Sequence, residues 1–248
     1  MIKLVDLHKS FNKLKVLDGL NLEINKGEIT VIIGRSGGGK SVLLKHIIGL
    51  IGPDAGHVFI DDVDITQLKE KELYKIRHRF GMLFQDAALF DSMTVGQNVA
   101  FPLAEHTDLS KKEIAQIVAG KLADVGLSGI EDKYPSELSG GMKKRVGLAR
   151  AIAMDPEIIL FDEPTTGLDP IMTAAIDELI LGIQRRLNLT CVVISHDIQS
   201  TFKIANKIAM LYKGKIIETG DPESFRNSEN PIVQGFLQGI PEDKIIGS

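Results

Sequence analysis

A glycine-rich segment at residues 34–41, with the sequence GRSGGGKS, constrains the fold more than any other part of the chain. It matches the pattern G-x-x-x-x-G-K-[ST] between a β-branched run and a helical pattern, which is the context that a phosphate-binding loop requires. The glycines allow successive N–H groups to face one anion, and the helix start adds partial positive charge. Lys40 would supply a cation for the β and γ phosphates, and Ser41 a hydroxyl ligand for Mg²⁺. We therefore predict that the chain binds a nucleoside triphosphate.

Apolar runs alternate with helical patterns along most of the chain. Continuous apolar runs, typical of strands buried on both faces, lie at residues 29–33, 158–161 and 190–194. Helices are predicted at residues 40–50, 110–125, 140–153 and 170–187. This alternation predicts an α/β fold, with a mainly parallel sheet covered by helices.

Three local patterns predict where elements begin or turn. Ser110 and Glu113 have the spacing of a capping box, and Asp169-Pro170 combines an acidic N-cap with proline at the first helical position. Lys213-Gly214 separates two strand patterns at residues 208–212 and 215–219, which predicts a two-residue hairpin.

One domain over residues 1–248 accounts for the organisation of the chain. The first 30 residues and residues 57–65 have short alternating patterns that predict an antiparallel sheet. We predict a catalytic α/β core at residues 1–85 and 151–225 and an inserted helical lobe at about residues 86–150. We also predict a short tail at residues 226–248 and expect no regulatory domain there.

Composition excludes several classes of protein. A net charge of −4 argues against nucleic acid as the main partner, and the basic run Lys143-Lys144-Arg145 is interpreted as a solvated helix face. The single cysteine, Cys191, excludes a disulfide framework, and no Cys/His cluster has zinc spacing. No apolar run approaches the roughly 20 residues of a membrane span, and no secretory leader is recognisable. We expect a cytosolic protein that touches a membrane only through a partner.

Two carboxylates follow the apolar run at residues 158–161. Asp162 and Glu163 would lie at the C-terminal end of the sheet, beside the phosphate loop. Asp162 is suited to hold Mg²⁺, and Glu163 to polarise a water in line with the γ-phosphate. A glutamate at this second position favours hydrolysis over a nucleotide switch.

A second glycine loop and one histidine extend the pattern. Ser139 is predicted as an N-cap, and Gly140 and Gly141 after it expose N–H groups to an anion. This loop is either a simple helix cap or a site for a nucleotide shared with another protomer. A lone histidine is usually structural, but His196 follows the run at residues 190–194, where it can hydrogen-bond a γ-phosphate and sense hydrolysis.

Together these motifs resemble the ATP-binding subunit of an ABC transporter over about residues 1–225. The resemblance implies that Phe11 stacks on adenine with Val16 beside it, and that Gln85 links Mg²⁺ and the attacking water to a membrane partner. It also implies that two copies of the chain sandwich two ATP molecules, each between the phosphate loop of one copy and residues 138–142 of the other.

The resemblance assigns three roles to the motif residues, and Gln85 and Ser41 each have two of them. Catalysis falls to Glu163, His196 and Gln85. Mg²⁺ would be bound by Ser41, Gln85 and Asp162. The residues implied to contact ATP are Phe11, Val16, Gly34, Arg35, Ser36, Gly37, Gly38, Gly39, Lys40, Ser41, Ser139, Gly140, Gly141 and Asp169.

A narrower resemblance lies in residues 86–107. This segment, together with Met142, is similar to the Mla-type (MCE-associated) phospholipid transporter ATPases. The resemblance implies a permease docked near residues 85–107, an MCE lipid-binding complex, and a position on the cytoplasmic face of the inner membrane. Some relatives also bind a small STAS-type regulatory subunit through a longer tail. The resemblance therefore also implies such a partner here, although the tail contact cannot simply be carried over to this sequence.

The function implied by the resemblance is that of an ATP-hydrolysing motor subunit of a transporter that moves phospholipid between the inner and outer membranes. The alternatives are an ATPase that drives an importer of a small polar solute, and an ATP-dependent switch that remodels a membrane complex without transport. A small-molecule P-loop kinase is disfavoured, because it would have no use for residues 138–142 together with His196. The sequence does not determine the direction of transport.

Overall fold

The computed structural model describes residues 1–240, so residues 241–248 of the predicted tail lie outside the described residues. The strands are β1 (Ile2–Phe11), β2 (Leu14–Ile24), β3 (Ile29–Ile33), β4 (Ala55–Ile60), β5 (Val63–Asp64), β6 (Phe80–Leu83), β7 (Ile158–Asp162), β8 (Thr190–Ser195), β9 (Lys207–Tyr212) and β10 (Lys215–Gly220). The helices are α1 (Lys40–Ile47), α2 (Glu70–Arg77), α3 (Val95–His106), α4 (Lys111–Asp124), α5 (Gly140–Ala151), α6 (Pro170–Leu187), α7 (Ile198–Ile204), α8 (Pro222–Arg226) and α9 (Pro231–Leu237). Within residues 1–240, no helix has both the length and the hydrophobicity that crossing a membrane requires.

The chain forms two compact units. The first contains residues 1–73 and the described chain from residue 192 onward, and the second contains residues 74–191. The lobe boundaries at residues 86 and 150 stay a prediction.

An antiparallel sheet in the first unit confirms the alternating pattern of the N-terminal residues. Its strand order is β2-β1-β4-β5, and Ile2 of β1 pairs with Ile24 on one side and Ile60 on the other. Ile2 and Leu4 are almost completely buried because alternate side chains of β1 point to the same face.

The phosphate loop belongs to the second sheet of this unit, where β10, β9, β3 and β8 are neighbours in that order. β3 is buried along its whole length and pairs in parallel with β9. The predicted hairpin is confirmed: Lys213 and Gly214 both have positive φ, 46° and 79°, and Lys215 pairs with Tyr212 across the turn. Two positive φ values are what a type I′ turn requires.

The second unit contains the parallel pair β6 and β7, with Phe80 opposite Ile158. The sequence patterns did not predict β6, because it is only four residues long and includes a glycine. That glycine is required by packing, since a Cβ on Gly81 would collide with the carbonyl oxygen of Ala151.

The predicted helices are present, with ends set by their caps. Glu113 N bonds Ser110 Oγ at 3.4 Å and Ser110 N bonds Glu113 Oε2 at 2.8 Å, which confirms the capping box of α4. Asp169 accepts hydrogen bonds from the amides of Ile171 and Met172 and so begins α6 where predicted.

Two helices end earlier than the sequence patterns predicted. α1 stops at Ile47 rather than residue 50, because Gly49 has a φ of 68° and Leu50 N donates back to the carbonyl oxygen of Lys45 at 2.8 Å. α5 stops at Ala151 rather than residue 153.

Cys191, in β8, is 1% exposed. Burial raises the pKa of its thiol to about 12, which keeps the group protonated at neutral pH.

Candidate functional site

In the first unit, the loop between β3 and α1 follows a path that only glycine permits at two positions. A Cβ on Gly34 would collide with the carbonyl oxygen of Leu211. Gly39 has a φ of 95°, and a Cβ there would lie 2.8 Å from Val16 Cγ1. The loop is therefore packed closely against the strands beside it, and Val16 lies directly against its last glycine.

Lys40 concentrates positive charge in this loop. It is 5% exposed, and its Nζ donates to the carbonyl oxygens of Gly34 at 2.8 Å and Arg35 at 2.9 Å. The first turn of α1 contains no acidic residue, and its N-cap, Gly39, has no side chain with which to cap the helix. A helix start of this kind, beside a buried ammonium group, fits a phosphate.

Several predicted residues of the first unit line two cavities beside the loop. One, of about 550 Å³, is lined by Gly34, Arg35, Ser36, His196 and the chain at 236–240. The other, of about 320 Å³, includes Val16, Arg35, Gly37 and Gly38 in its lining. His196 is exposed and directly follows β8, as predicted. Phe11 ends β1, is 45% exposed, and lies outside both linings.

In the second unit, the acidic pair ends strand β7. Asp162 is the last residue of β7, and Glu163 after it has a φ of 50°. Thr166 Oγ1 donates to Glu163 Oε2 at 3.0 Å, which holds the carboxylate in one orientation. The left-handed backbone conformation is unfavourable for residues other than glycine. Residues held in it are concentrated at functional sites.

The burial of Lys144 shows that one sequence prediction was wrong. The run Lys143-Lys144-Arg145 is not a solvated face: Lys144 is 5% exposed, and its Nζ donates to the carbonyl oxygens of Gln85 and Glu163. Arg145 Nη1 donates to the carbonyl oxygen of Val125 at 3.0 Å. Burial lowers the pKa of Lys144, and the nearby carboxylates of Asp86, Glu163 and Asp162 oppose that shift. Successive residues of a helix face different directions, so a basic run in the sequence does not show that Lys144 is the residue that faces inward.

The second glycine loop begins α5 in the same unit. Ser139 is the N-cap, as predicted, with its Oγ accepting from Met142 N at 3.3 Å. Gly141 is buried, and a Cβ there would collide with Met172 of α6. Ser139, Gly140 and Asp169 are exposed. The loop therefore lies against the beginning of α6, with its outer residues accessible.

Gln85 is exposed just beyond β6 and precedes an apolar groove of about 460 Å³. Phe84 and Phe90 contribute to the groove and are 41% and 43% exposed. The ring of Phe90 lies 5.0 Å from that of Phe101, and the Arg150 guanidinium lies 5.9 Å from the Phe90 ring.

Asn98 organises the segment that carries Phe90. Its side chain is completely buried, accepts a hydrogen bond from Phe90 N at 2.8 Å and donates to the carbonyl oxygens of Phe90, Met93 and Thr94. Its donors and acceptor are used entirely within one turn of loop and helix, so it defines the conformation of the loop.

We expect Asn98→Ala to destabilise the chain by about 1–3 kcal/mol, because it leaves buried backbone groups without partners. For a chain of this size, that corresponds to a lower Tm by roughly 2–4 °C per kcal/mol, measurable by thermal denaturation followed by circular dichroism. Gln199→Ala, at an exposed position, is the control. Equal Tm values for the two variants would show that the Asn98 network contributes nothing.

Comparison with known proteins places these features in one family. The family model described as ABC transporter matches residues 17–166. The ATP-binding cassette MJ0796, in a dimeric post-hydrolysis state bound to ADP and Pi, is 33% identical with a TM-score of 0.82, and the match covers 90% of this chain and 99% of that one.

Two curated relatives of similar sequence identity are named for the transport of different substrates. "Intermembrane phospholipid transport system ATP-binding protein MlaF" of Haemophilus influenzae is 47% identical over 90% of this chain and 85% of the relative. "Probable ribonucleotide transport ATP-binding protein mkl" of Mycobacterium tuberculosis is 46% identical over 96% of this chain, which spans 66% of that relative's length. The matches to the family model and to these relatives agree with the phosphate loop and the acidic strand end described above, and the chain belongs to the ABC transporter family as an ATP-binding cassette.

Proposed function

We propose that the chain is the ATP-hydrolysing motor subunit of a transporter that moves phospholipid between the inner and outer membranes. The observation that carries the substrate class is the 47% identity to a relative named for intermembrane phospholipid transport, over most of both chains. The loop around Lys40 and the strand end at Asp162 and Glu163 support the ATPase activity. Neither the geometry nor the relatives' names indicate a direction of transport.

Different residues of the chain would bind ATP and hydrolyse it. Lys40 and the start of α1 would bind the phosphates, since both present positive charge at one loop. Glu163, oriented by Thr166, would accept a proton from the attacking water. Ser41, Gln85 and Asp162 offer the oxygen ligands that Mg²⁺ prefers, and when bound Mg²⁺ neutralises charge that develops on the phosphates. His196 would contact the γ-phosphate.

A second copy of the chain completes this proposal. Ser139, Gly140 and Gly141 would meet the nucleotide held by the other copy, with Asp169 beside it. The accessibility of Ser139, Gly140 and Asp169 supports this arrangement, as does Ile171, which is 81% exposed at the start of α6. The dimeric form of MJ0796 is a precedent at 33% identity.

The permease would dock at residues 85–107, with the dimer on the cytoplasmic face of the inner membrane. The groove beside Gln85 supports this surface, because exposed aromatic rings beside an arginine have the composition of interface hot spots. An MCE lipid-binding complex would complete the assembly, and a STAS-type subunit stays a prediction from the resemblance.

We expect Phe90→Asp to weaken the interaction with the permease by about 2 kcal/mol or more, roughly 30-fold in affinity, because it replaces an apolar anchor with a charge. The measurement is the amount of permease that co-purifies with the tagged chain from detergent-solubilised native membranes. Tyr134→Asp, which changes an aromatic residue that is 45% exposed elsewhere in the same unit, is the control. Equal recovery with both variants would place the docking surface elsewhere.

The name of the mycobacterial relative refers to ribonucleotide transport, and it favours a second candidate, the ATPase of an importer of a small polar solute. The same purification separates the two. A phospholipid transporter should bring down an MCE-type complex with extractable phospholipid, whereas an importer should bring down a solute-binding protein without it. Recovery of a membrane complex that couples to ATP hydrolysis but moves neither substrate in vesicles would favour the switch without transport.

A further inference from the structure

Lys144 connects two turns that the proposed function uses for different purposes. Its Nζ donates to the backbone carbonyl oxygens of Gln85, beyond β6, and of Glu163, at 3.4 Å, beyond β7. β6 and β7 are paired strands, so the lysine bridges the ends of two neighbouring strands. One turn lies beside the proposed docking surface, and the other carries the proposed base.

The ammonium group of Lys144 is held in place by burial and by charge. It is 5% exposed, and the carboxylates of Asp86, Asp162 and Glu163 are close enough to stabilise its positive charge. A buried ammonium needs such partners, because without them the charged form would be strongly disfavoured. Moving either turn away would therefore remove partners that the lysine requires.

The bond to Glu163 acts on a backbone conformation that needs support. Glu163 has a φ of 50°, which is unfavourable for a residue with a side chain, and its carboxylate is fixed at the other end by Thr166. The direction of the carboxylate depends on both anchors, since the Lys144 bond fixes the peptide group and the Thr166 bond fixes the side chain.

Lys144 also lies on α5, about one helical turn after Gly140. Its own helix therefore begins at the loop proposed to meet the second copy's nucleotide. A displacement of that helix start would be transmitted along a rigid helix to the carbonyl groups that Lys144 holds.

We propose that Lys144 is a positioning residue that ties the Gln85 turn and the Glu163 backbone to α5, so that the docking surface, the general base and the second glycine loop move together. This inference rests on the proposed function, because it requires Glu163 to act in hydrolysis. Lys144 itself contacts backbone carbonyl groups, so its loss should affect kcat rather than the affinity for ATP.

The test compares Lys144→Met, which removes the N–H donors at similar length, with Lys144→Arg, which keeps them, and with Lys112→Met, an exposed lysine of α4. Steady-state phosphate release gives kcat and KM, and trinitrophenyl-ATP fluorescence gives the affinity for nucleotide. We expect Lys144→Met to lower kcat by about 10- to 100-fold, as a small misplacement of a catalytic group does, with nucleotide affinity within about threefold of wild type. Lys144→Arg should retain most of kcat, and Lys112→Met should match wild type.

Four outcomes would overturn the inference. If Lys144→Met turns over ATP as fast as Lys112→Met, or loses nucleotide affinity in proportion to kcat while remaining folded, Lys144 does not position the base. If wild type itself releases no phosphate, the proposed function fails and the inference fails with it. Should Lys144→Met not fold, Lys144→Gln takes its place, because its amide nitrogen lies one bond closer to Cα and should not reach both carbonyl oxygens, one of which is already 3.4 Å from Lys144 Nζ. A kcat lowered about tenfold with unchanged affinity then supports the proposal, and an unchanged kcat overturns it.

Discussion

Replacing Lys40 with alanine is expected to abolish ATP turnover. The Lys40 ammonium is the cation that the phosphate loop holds at its centre, fixed by the carbonyl oxygens of Gly34 and Arg35. Removing one pre-positioned hydrogen-bond donor from a catalytic site typically lowers kcat by about 10²–10³-fold, and here the variant also loses a positive charge that would bind the phosphates. Phosphate release at saturating ATP measures the first effect, and trinitrophenyl-ATP binding measures the second.

The matched control for this variant is Lys45→Ala. Lys45 lies in the last turn of α1, is exposed, and its loss changes the net charge by the same amount on the same helix. We expect it to turn over ATP at close to the wild-type rate, because Lys45 lies at the end of α1 away from the phosphate loop and a surface charge at a helix C-terminus contributes only about 0.3–1 kcal/mol to stability. Turnover retained by Lys40→Ala would reject the assignment of the phosphate loop.

The second large effect is expected for Glu163→Gln, which should bind ATP but hydrolyse it about 10²–10⁴-fold more slowly. Glutamine has nearly the same shape and can still accept the hydrogen bond from Thr166, so the fold of the turn should be kept. It cannot accept a proton from water. Because ATP would persist between two copies, multi-angle light scattering should report a stable dimer with ATP and Mg²⁺.

Glu229→Gln, at an exposed position, is the control and should hydrolyse ATP at the wild-type rate. A Glu163→Gln variant that remains monomeric at saturating ATP would contradict the shared-nucleotide dimer while leaving the ATPase assignment intact. One that hydrolyses ATP normally would instead remove Glu163 from the mechanism.

The parts of the fold that depend on nearby residues were predictable. β3 and α6 have the predicted bounds, because a continuous apolar run and an Asp-Pro helix start are both local signals. The capping box of α4 and the hairpin at Lys213-Gly214 were confirmed for the same reason.

The parts of the fold and of the candidate site that were not predicted depend on contacts between residues that are distant in the sequence. β6 is too short to show periodicity, and its Gly81 is explained only by the backbone of Ala151. Lys144 was misinterpreted because its partners, the carbonyl oxygens of Gln85 and Glu163, are 59 and 19 residues away. The candidate site was recognisable from its side chains, whereas the lysine that ties two of its turns together acts through backbone groups and leaves no motif. The roles assigned to the individual site residues stay predictions.

The burial of Cys191 has a practical consequence for testing the proposed dimer. A thiol with a pKa of about 12 and 1% exposure should not react with maleimides in the folded chain. Since this is the only cysteine in the sequence, a single cysteine introduced at the exposed Ile171 would be the one labelling site, with no need to mutate the native residue first. Fluorophores attached there would report the approach of two copies by energy transfer in real time, so ATP-driven association could be followed kinetically in an otherwise unmodified protein.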